Sequence, residues 1–340
     1  MKKNVSLKDI ASQLGVSVSL VSYVLNGHAK KMRVGDEVAQ QILDTAKKLH
    51  YQPNQIAKSL KSKKSQTIGL IVAEINYGYT TGIVRAIELE AKKNGYTVII
   101  GNSHEDLAVL HELIHVFINR QVDGLIIVAA EKAEAEVQYL KKKEIPFVLI
   151  DRNFPSVESN FIGIDNHLVA YRSVEYVYKH GCRKIAFLNY ETTFFHLKER
   201  TKGYEQALAD KGLKYKKPLL REIRQSAYEA DVEKAIRELT APPLSCDAIF
   251  FATDMLAISG LKHLINLKIK IPADVAVISF DEAEAFALFA CPVTHYRQPL
   301  AEIGNSAVKT LLDEIKEGKK PKWKQLYLQS TLVVGQSCRE

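Results

Sequence analysis

Several features are scarce in this chain, and each scarcity excludes something. The four cysteines, Cys182, Cys246, Cys291 and Cys338, lie far apart, with no paired spacing of the zinc-site kind. They read as free thiols, mostly packing residues in a reducing compartment. No apolar run reaches membrane-spanning length, and the start, Met-Lys-Lys-Asn, leads straight into an amphipathic segment with no signal-peptide apolar core. A cytoplasmic protein with no membrane partner is expected. There is no Gly-x-Ser-x-Gly elbow and no phosphate-cradling Gly-x-x-x-x-Gly-Lys, which argues against an enzyme. His111 and His115 stand four apart, as two metal ligands can, but with no third ligand nearby in sequence they read as a solvated helix face. No metal and no cofactor are expected.

What is present begins at residues 5–26. Leu7, Ile10, Ala11 and Leu14 share one helical face, Gly15 breaks the period, and Val21, Val24 and Leu25 start a second face. Two short helices meeting at a tight turn follow from this spacing. Ala11 is small enough for close approach, Gly15 can take the positive φ of the turn, and Ser17 can cap the second helix. This is the pattern of a helix-turn-helix, whose second helix lies in the DNA major groove. An ordinary helical hairpin would share the spacing, and charge decides between them. Residues 1–64 hold 12 Lys or Arg and 4 Asp or Glu, whereas the remaining residues hold 35 of each. All the excess positive charge therefore sits with the candidate DNA reader, where phosphates would use it.

A third helix, about Asp36 to Leu49, would close a three-helix core through Val38, Ile42, Leu43, Ala46 and Leu49. Tyr51-Gln52-Pro53-Asn54 then interrupts, and the piece Gln55 to Lys61 is too short to stay helical unless something packs on it. From Ile68 onward, short apolar strands alternate with amphipathic helices. Strands are predicted at 68–72, 97–100, 124–128 and 147–150, and again at 161–164, 185–189, 248–252 and 275–280, with further strands near 293–297 and 330–335. Helices fall between them, the last from about Pro299 to Lys316. Alternation of this kind builds parallel sheets covered on both faces, and two such runs predict two similar lobes. Facing lobes leave a cleft at the carboxyl ends of their strands, which suits a small-molecule ligand and hinge closure.

The chain resembles the LacI/GalR family of bacterial transcription regulators over essentially its full length. The segments that carry the likeness include Leu7-Lys8-Asp9-Ile10-Ala11, Gly15-Val16-Ser17, Val21 to Gly27, Tyr51-Gln52-Pro53-Asn54, Ala57-Lys58-Ser59-Leu60, Val122 to Ile126, Leu149-Ile150-Asp151-Arg152, Gly163-Ile164-Asp165-Asn166 and Arg297-Gln298-Pro299. The resemblance implies an α/β protein with an N-terminal three-helix headpiece and hinge helix, then a two-lobed, periplasmic-binding-protein-like core of doubly wound parallel sheets. The expected division is a headpiece over 1–50, a hinge over 51–65 and a core over 66–340. Lobe 1 is expected at about 66–162 and 295–322, and lobe 2 at about 163–292 and 325–340. A Leu-rich tetramerising tail is absent, so the resemblance implies a homodimer on a pseudo-palindromic operator in double-stranded DNA, with repression controlled by a small effector.

The same resemblance assigns residues. Val18, Ser19 and Tyr23 match positions facing base edges, while Ser17, Ser22 and Asn26 serve helix ends and phosphates. Tyr23 departs from the Arg common there, and the loss of a guanidinium removes a bidentate guanine contact, leaving a base-edge or a backbone contact for its hydroxyl. Leu60, between Lys58 and Lys61, matches a minor-groove wedge flanked by phosphate contacts; a packing leucine is the alternative. For the effector the matched positions are Asn76, Tyr77, Tyr79, Arg152, Arg200, Thr253, Asp254 and Asp281. Tyr77-Gly78-Tyr79-Thr80 replaces the usual Asn-Pro-Phe-Phe, and Thr253-Asp254 replaces a common Asn-Asp pair. Polar aromatics suit a sugar face, so a sugar or sugar derivative is the expected effector. A solute-binding protein of a transport system would share the core, but it predicts an export signal and no basic headpiece.

Overall fold

The computed structural model describes residues 5–52, 64–76, 78–213, 217–317 and 323–339. The chain divides into two compact units, Met1–Ser65 and Gln66–Glu340.

In the first unit, α1 (Leu7–Leu14), α2 (Val18–Leu25) and α3 (Asp36–Lys48) enclose a core of Ile10, Ala11, Val21, Val24, Ile42 and Ala46. The turn forms as its residues dictate. Gly15 takes φ +65° and donates its amide to the Ala11 carbonyl, ending α1. Ser17 then accepts from the Leu20 amide at 3.1 Å, starting α2. At the other end of α1 the Ser6 amide donates to Asp9 Oδ2 at 2.7 Å, half of a capping box.

The second unit carries two six-stranded sheets. The first contains β1 (Thr67–Val72), β2 (Thr97–Asn102), β3 (Gly124–Ile127), β4 (Phe147–Ile150), β5 (Phe161–Ile164) and β11 (Gln325–Leu328), in the order β11-β5-β4-β3-β1-β2. The second contains β6 (Ile185–Tyr190), β7 (Leu220–Ile223), β8 (Ala248–Phe251), β9 (Ala276–Phe280), β10 (Thr294–Arg297) and β12 (Thr331–Val333), in the order β12-β10-β9-β8-β6-β7. All pairings are parallel except β10 with β12. Both sheets thus share one winding, with a strand-order reversal at β1/β3 and at β6/β8. The helices α4 (Gly78–Lys93), α5 (Leu107–Asn119), α6 (Glu134–Lys142) and α11 (Leu300–Glu317) belong with the first sheet. With the second go α7 (Asn166–Lys179), α8 (Phe195–Asp210), α9 (Tyr228–Thr240) and α10 (Asp254–Asn266).

The lobe boundaries expected from sequence need correction at three strands. All four residues of β5 are buried, and they pair with β4 and β11, so residues 163–164 belong to the first lobe. Thr294–Tyr296 pair with β9, which moves β10 to the second lobe, and β11 returns to the first although residues 325–328 were expected in the second. The chain therefore crosses between lobes after β5, β10 and β11. Strands β7 and β11 were not anticipated at all.

Tyr204 on α8 stacks on Phe187 with centroids 5.0 Å apart, Phe187 stacks on Phe250 at 4.7 Å, and the Tyr204 hydroxyl donates to the Ile185 carbonyl at 2.8 Å. Cys182, Cys246 and Cys338 are buried free thiols, and burial pushes Cys246 and Cys338 up to about 12. On α8, Gly203 faces the His167 carbonyl of α7, and an added Cβ would collide with that backbone oxygen. Gly203→Ala is expected to destabilise the core by about 2 kcal/mol or more, because backbone cannot yield cheaply. An unchanged denaturant midpoint would show that α7 and α8 can separate.

Candidate functional site

A cavity of about 330 Å³ lies where the carboxyl ends of the two sheets meet. Most wall residues follow a strand: Glu105 after β2, Glu131 after β3, Asp151 and Arg152 after β4, Tyr190, Glu191, Thr192 and Phe194 at the end of β6, Thr253 and Asp254 after β8, Asp281 after β9 and Gln298 after β10, with Tyr79 on the first turn of α4. His196, Leu197 and Arg200 come from the first turns of α8. Parallel strands end together, so a doubly wound sheet delivers its loops to one edge, and here two edges face each other.

Arg200 is only 2% exposed and ties several elements together. Its Nε donates to Asn166 Oδ1 at 2.9 Å, Nη1 donates to the Ala252 carbonyl and lies 3.6 Å from Asp281 Oδ2, and the guanidinium stacks 3.4 Å above the Phe280 ring. Burial lowers its pKa, and the neighbouring carboxylates of Asp281 and Asp151 oppose that. Asp281 itself takes a left-handed φ of 67° and accepts from Gln298 Nε2. On the opposite wall Arg152 grips Glu105 with both terminal nitrogens, at 2.6 and 2.7 Å, and covers Phe194 of the second lobe at 4.3 Å.

A second bridge between lobes runs through Glu131. One of its carboxylate oxygens accepts from the Thr192 hydroxyl at 2.9 Å, the Thr193 hydroxyl and the Thr193 amide. Burial alone would raise the Glu131 pKa, but these three bonds outweigh it and hold the carboxyl below its ordinary range. Two polar atoms of the wall, Tyr79 Oη and His196 Nδ1, are buried with no partner among the described residues. His196 is held neutral, chiefly by burial and then by repulsion from Arg152 and Arg200.

The structure brings together Tyr79, Arg152, Arg200, Thr253, Asp254 and Asp281 of the residues expected at the effector site. It does not bring Asn76 into the wall; that residue is exposed and its amide points to Glu74 Oε1 at 3.4 Å. Tyr77 lies outside the described residues, as do Lys58, Leu60 and Lys61. Sequence reasoning missed Glu105, Glu131, Asp151, His196 and Gln298. Asp151 and Gln298 lie within the motif segments Leu149-Ile150-Asp151-Arg152 and Arg297-Gln298-Pro299 at strand ends, and that position was the available signal.

On α2 the exposed side is formed by Val18 and Ser19, with Ser22 and Tyr23 half-buried beside it, opposite buried Val21 and Val24. Ser17 is engaged as the cap, and the Asn26 amide donates to the Ser22 carbonyl at 2.7 Å and approaches its hydroxyl at 3.3 Å. Lys8, Lys30, Lys31, Arg33, Lys47 and Lys48 are all exposed on this unit. Elsewhere, residues 111–115, expected to form a solvated helix face, read His-Glu-Leu-Ile-His, the spacing of a zinc helix. The two rings stand 4.5 Å apart and Glu136 lies 3.5 Å from His111, yet no group of three His, Cys, Asp or Glu among the described residues is arranged to hold a metal ion. No helix among the described residues is long and apolar enough to cross a membrane.

A basic helix-turn-helix on one unit and a polar cavity between two doubly wound lobes on the other define a ligand-binding, DNA-binding protein. Comparison with known proteins agrees. The family description "Bacterial regulatory proteins, lacI family" matches residues 6–54, and "Periplasmic binding protein-like domain" matches residues 174–338. The HTH-type transcriptional repressor PurR of Mannheimia succiniciproducens is 27% identical over 98% of this chain and 99% of its own length. Catabolite control protein A of Priestia megaterium is 29% identical over 91% of this chain and 92% of its own. In fold, the lac repressor dimer bound to operator and the anti-inducer ONPF superimposes with a TM-score of 0.87, at 21% identity, covering 99% of this chain and 100% of that one. The chain joins a lacI-family DNA-binding domain to a periplasmic-binding-protein-like domain, and it is a DNA-binding transcriptional regulator.

Asp254 gives the cavity a pH signature. Burial and then the charge of Asp281 raise its pKa from 3.8 to about 7. A folded-state pKa above the unfolded one means that ionising Asp254 costs stability. The melting temperature of the unliganded protein, measured against Asp254→Asn, is expected to fall as pH rises from 3.8 to about 7 and to level off above that. A difference from the variant that is the same at every pH would remove Asp254 as its source.

Proposed function

We propose that this protein represses transcription as a cytoplasmic homodimer, seating paired headpieces on a pseudo-palindromic site in double-stranded DNA. A small polyhydroxylated effector, bound and not turned over, controls that affinity from the cavity between the lobes. In this reading residues 1–50 are the headpiece, 51–65 the hinge and 66–340 the effector and dimer core. Val18, Ser19 and Tyr23 read base edges, and Ser17, Ser22, Asn26, Lys58 and Lys61 hold the backbone. Leu60 enters the minor groove at the centre of the site.

The observation that carries the effector half is the cavity itself, walled by both lobes and bridged by Glu131 to Thr192 and Thr193. A ligand there touches both walls, so its binding energy depends on how the lobes sit. By linkage, whatever shifts the lobes shifts operator affinity, and operator shifts effector affinity by the same factor. The cavity is at the small end of the ~300–1,000 Å³ usual for ligand pockets, which suits a sugar-sized molecule. The relative named as the lac repressor was solved on operator with an anti-inducer, and this supports the same division of labour here.

Two outcomes test the reading. Operator affinity, measured by gel shift on a site selected from genomic DNA, is expected to fall with salt at a log–log slope of about −5 or steeper, as several phosphate contacts per headpiece demand. A slope near zero would defeat the electrostatic headpiece. Arg200→Lys keeps a cation but loses the fork, so it should leave unliganded operator binding intact while weakening the effector by about tenfold or more. Effector affinity unchanged by calorimetry would take Arg200 out of the site.

A further inference from the structure

The charge of the cavity does not balance. Each arginine of the wall is already committed: Arg152 to Glu105 through both terminal nitrogens, and Arg200 to Asn166, the Ala252 carbonyl and Asp281. Glu131 is satisfied by its threonines. That leaves Asp151, whose ion pair with Arg152 Nε is 3.4 Å long, and Asp254, which accepts a hydrogen bond from the Met255 amide at 2.9 Å. Both side chains belong to the cavity wall, and Asp281 faces each of them electrostatically.

Arg152 and Arg200 both act on Asp151, and Arg200 acts on Asp254, yet the wall sets Glu105, Glu131, Asp151, Glu191, Asp254 and Asp281 against these two guanidinium groups alone. His196, also on the wall, is neutral, and its buried Nδ1 has no partner among the described residues. An anionic ligand would meet Asp151, Asp254 and Asp281 with both guanidinium groups occupied. A neutral ligand would leave two partly buried carboxylates, each repelled by Asp281, a cost that protonation would relieve.

We propose that the effector carries an ammonium group on its polyhydroxylated frame, seated in the acidic group formed by Asp151, Asp254 and Asp281, with its hydroxyls directed to Arg200 and His196. This rests on the effector reading given above and narrows it to amine-bearing sugars or related aminopolyols. The carboxylate surplus then acts as the specificity element. It rewards the amine and rejects sugar acids and sugar phosphates, because like charge in a dry site costs more than a lost hydrogen bond.

The test uses the full-length protein and its operator. Glucosamine, galactosamine and mannosamine are compared with the parent hexoses, their N-acetyl forms and the uronates, by thermal shift and calorimetry near neutral pH. At least one aminohexose is expected to raise the melting temperature and to bind about tenfold or more tightly than both its parent hexose and its N-acetyl form. Asp254→Asn should close that gap, lowering the ratio of aminohexose to parent-hexose affinity about tenfold. Tightest binding by a neutral or acidic member, or an amine preference that survives both Asp254→Asn and Asp151→Asn, overturns the ammonium and leaves the effector reading in place. If no member of any class shifts the melting temperature or operator affinity, both readings fall together.

Discussion

The second unit depends on one constraint: a guanidinium buried to 2% exposure must have its charge and donors answered from the protein. Arg200 is answered by Asn166 at the start of α7, by the carbonyl of Ala252 just past β8, by Asp281 just past β9, and by the face of Phe280. Those groups lie on three stretches of chain that meet because β8 and β9 pair in register and α7 packs on α8. The close approach of α7 and α8 at Gly203 lies three residues along the same helix from Arg200. Core packing and ligand chemistry are therefore one structure here, since moving α8 would strip the arginine of its partners.

How much of this could be read from the sequence depended on which physical signal each feature leaves. Element type was legible because buried strands such as Phe147–Ile150 are continuous apolar runs, and helices such as α3 carry a clear periodicity. Strand β11 was invisible because its burial alternates exposed and half-buried, and β7 because three of its four residues are not buried. Sheet membership was less legible still. Nothing in Phe161–Ile164 or Thr294–Arg297 says which sheet a strand joins, because pairing partners are non-local and hydropathy is the same in either place. At the site, Arg200 and Asp281 were legible through motif resemblance, whereas Glu131 was not, since its role exists only when Thr192 and Thr193 of the other lobe reach it.

The headpiece is the reverse case, legible almost throughout. Its geometry is local: Gly15 and Ser17 each act within a few residues of themselves, and short-range hydrogen bonds leave short-range sequence marks. Tyr23 sits half-buried beside the exposed Val18 and Ser19. An aromatic of that kind exchanges a long, charged reach for a short, rigid one. If Tyr23 reads the operator as proposed, specificity at its position depends more on groove shape than on a bidentate pair with guanine.

The two interlobe contacts differ in kind, and the difference bears on how a ligand signal could be set. Arg152 over Phe194 is a broad contact that tolerates sliding, whereas Glu131 collects three donors from two adjacent residues and is satisfied only in one arrangement. A ligand that fills the cavity without disturbing Glu131 adds to the closed arrangement. One that competes for Thr192, which also lines the cavity, subtracts from it. In the proposed reading, the sign of the response, inducer or co-repressor, turns on whether the bound molecule leaves the threonines to Glu131, a choice made by a few hydrogen bonds and not by the fold.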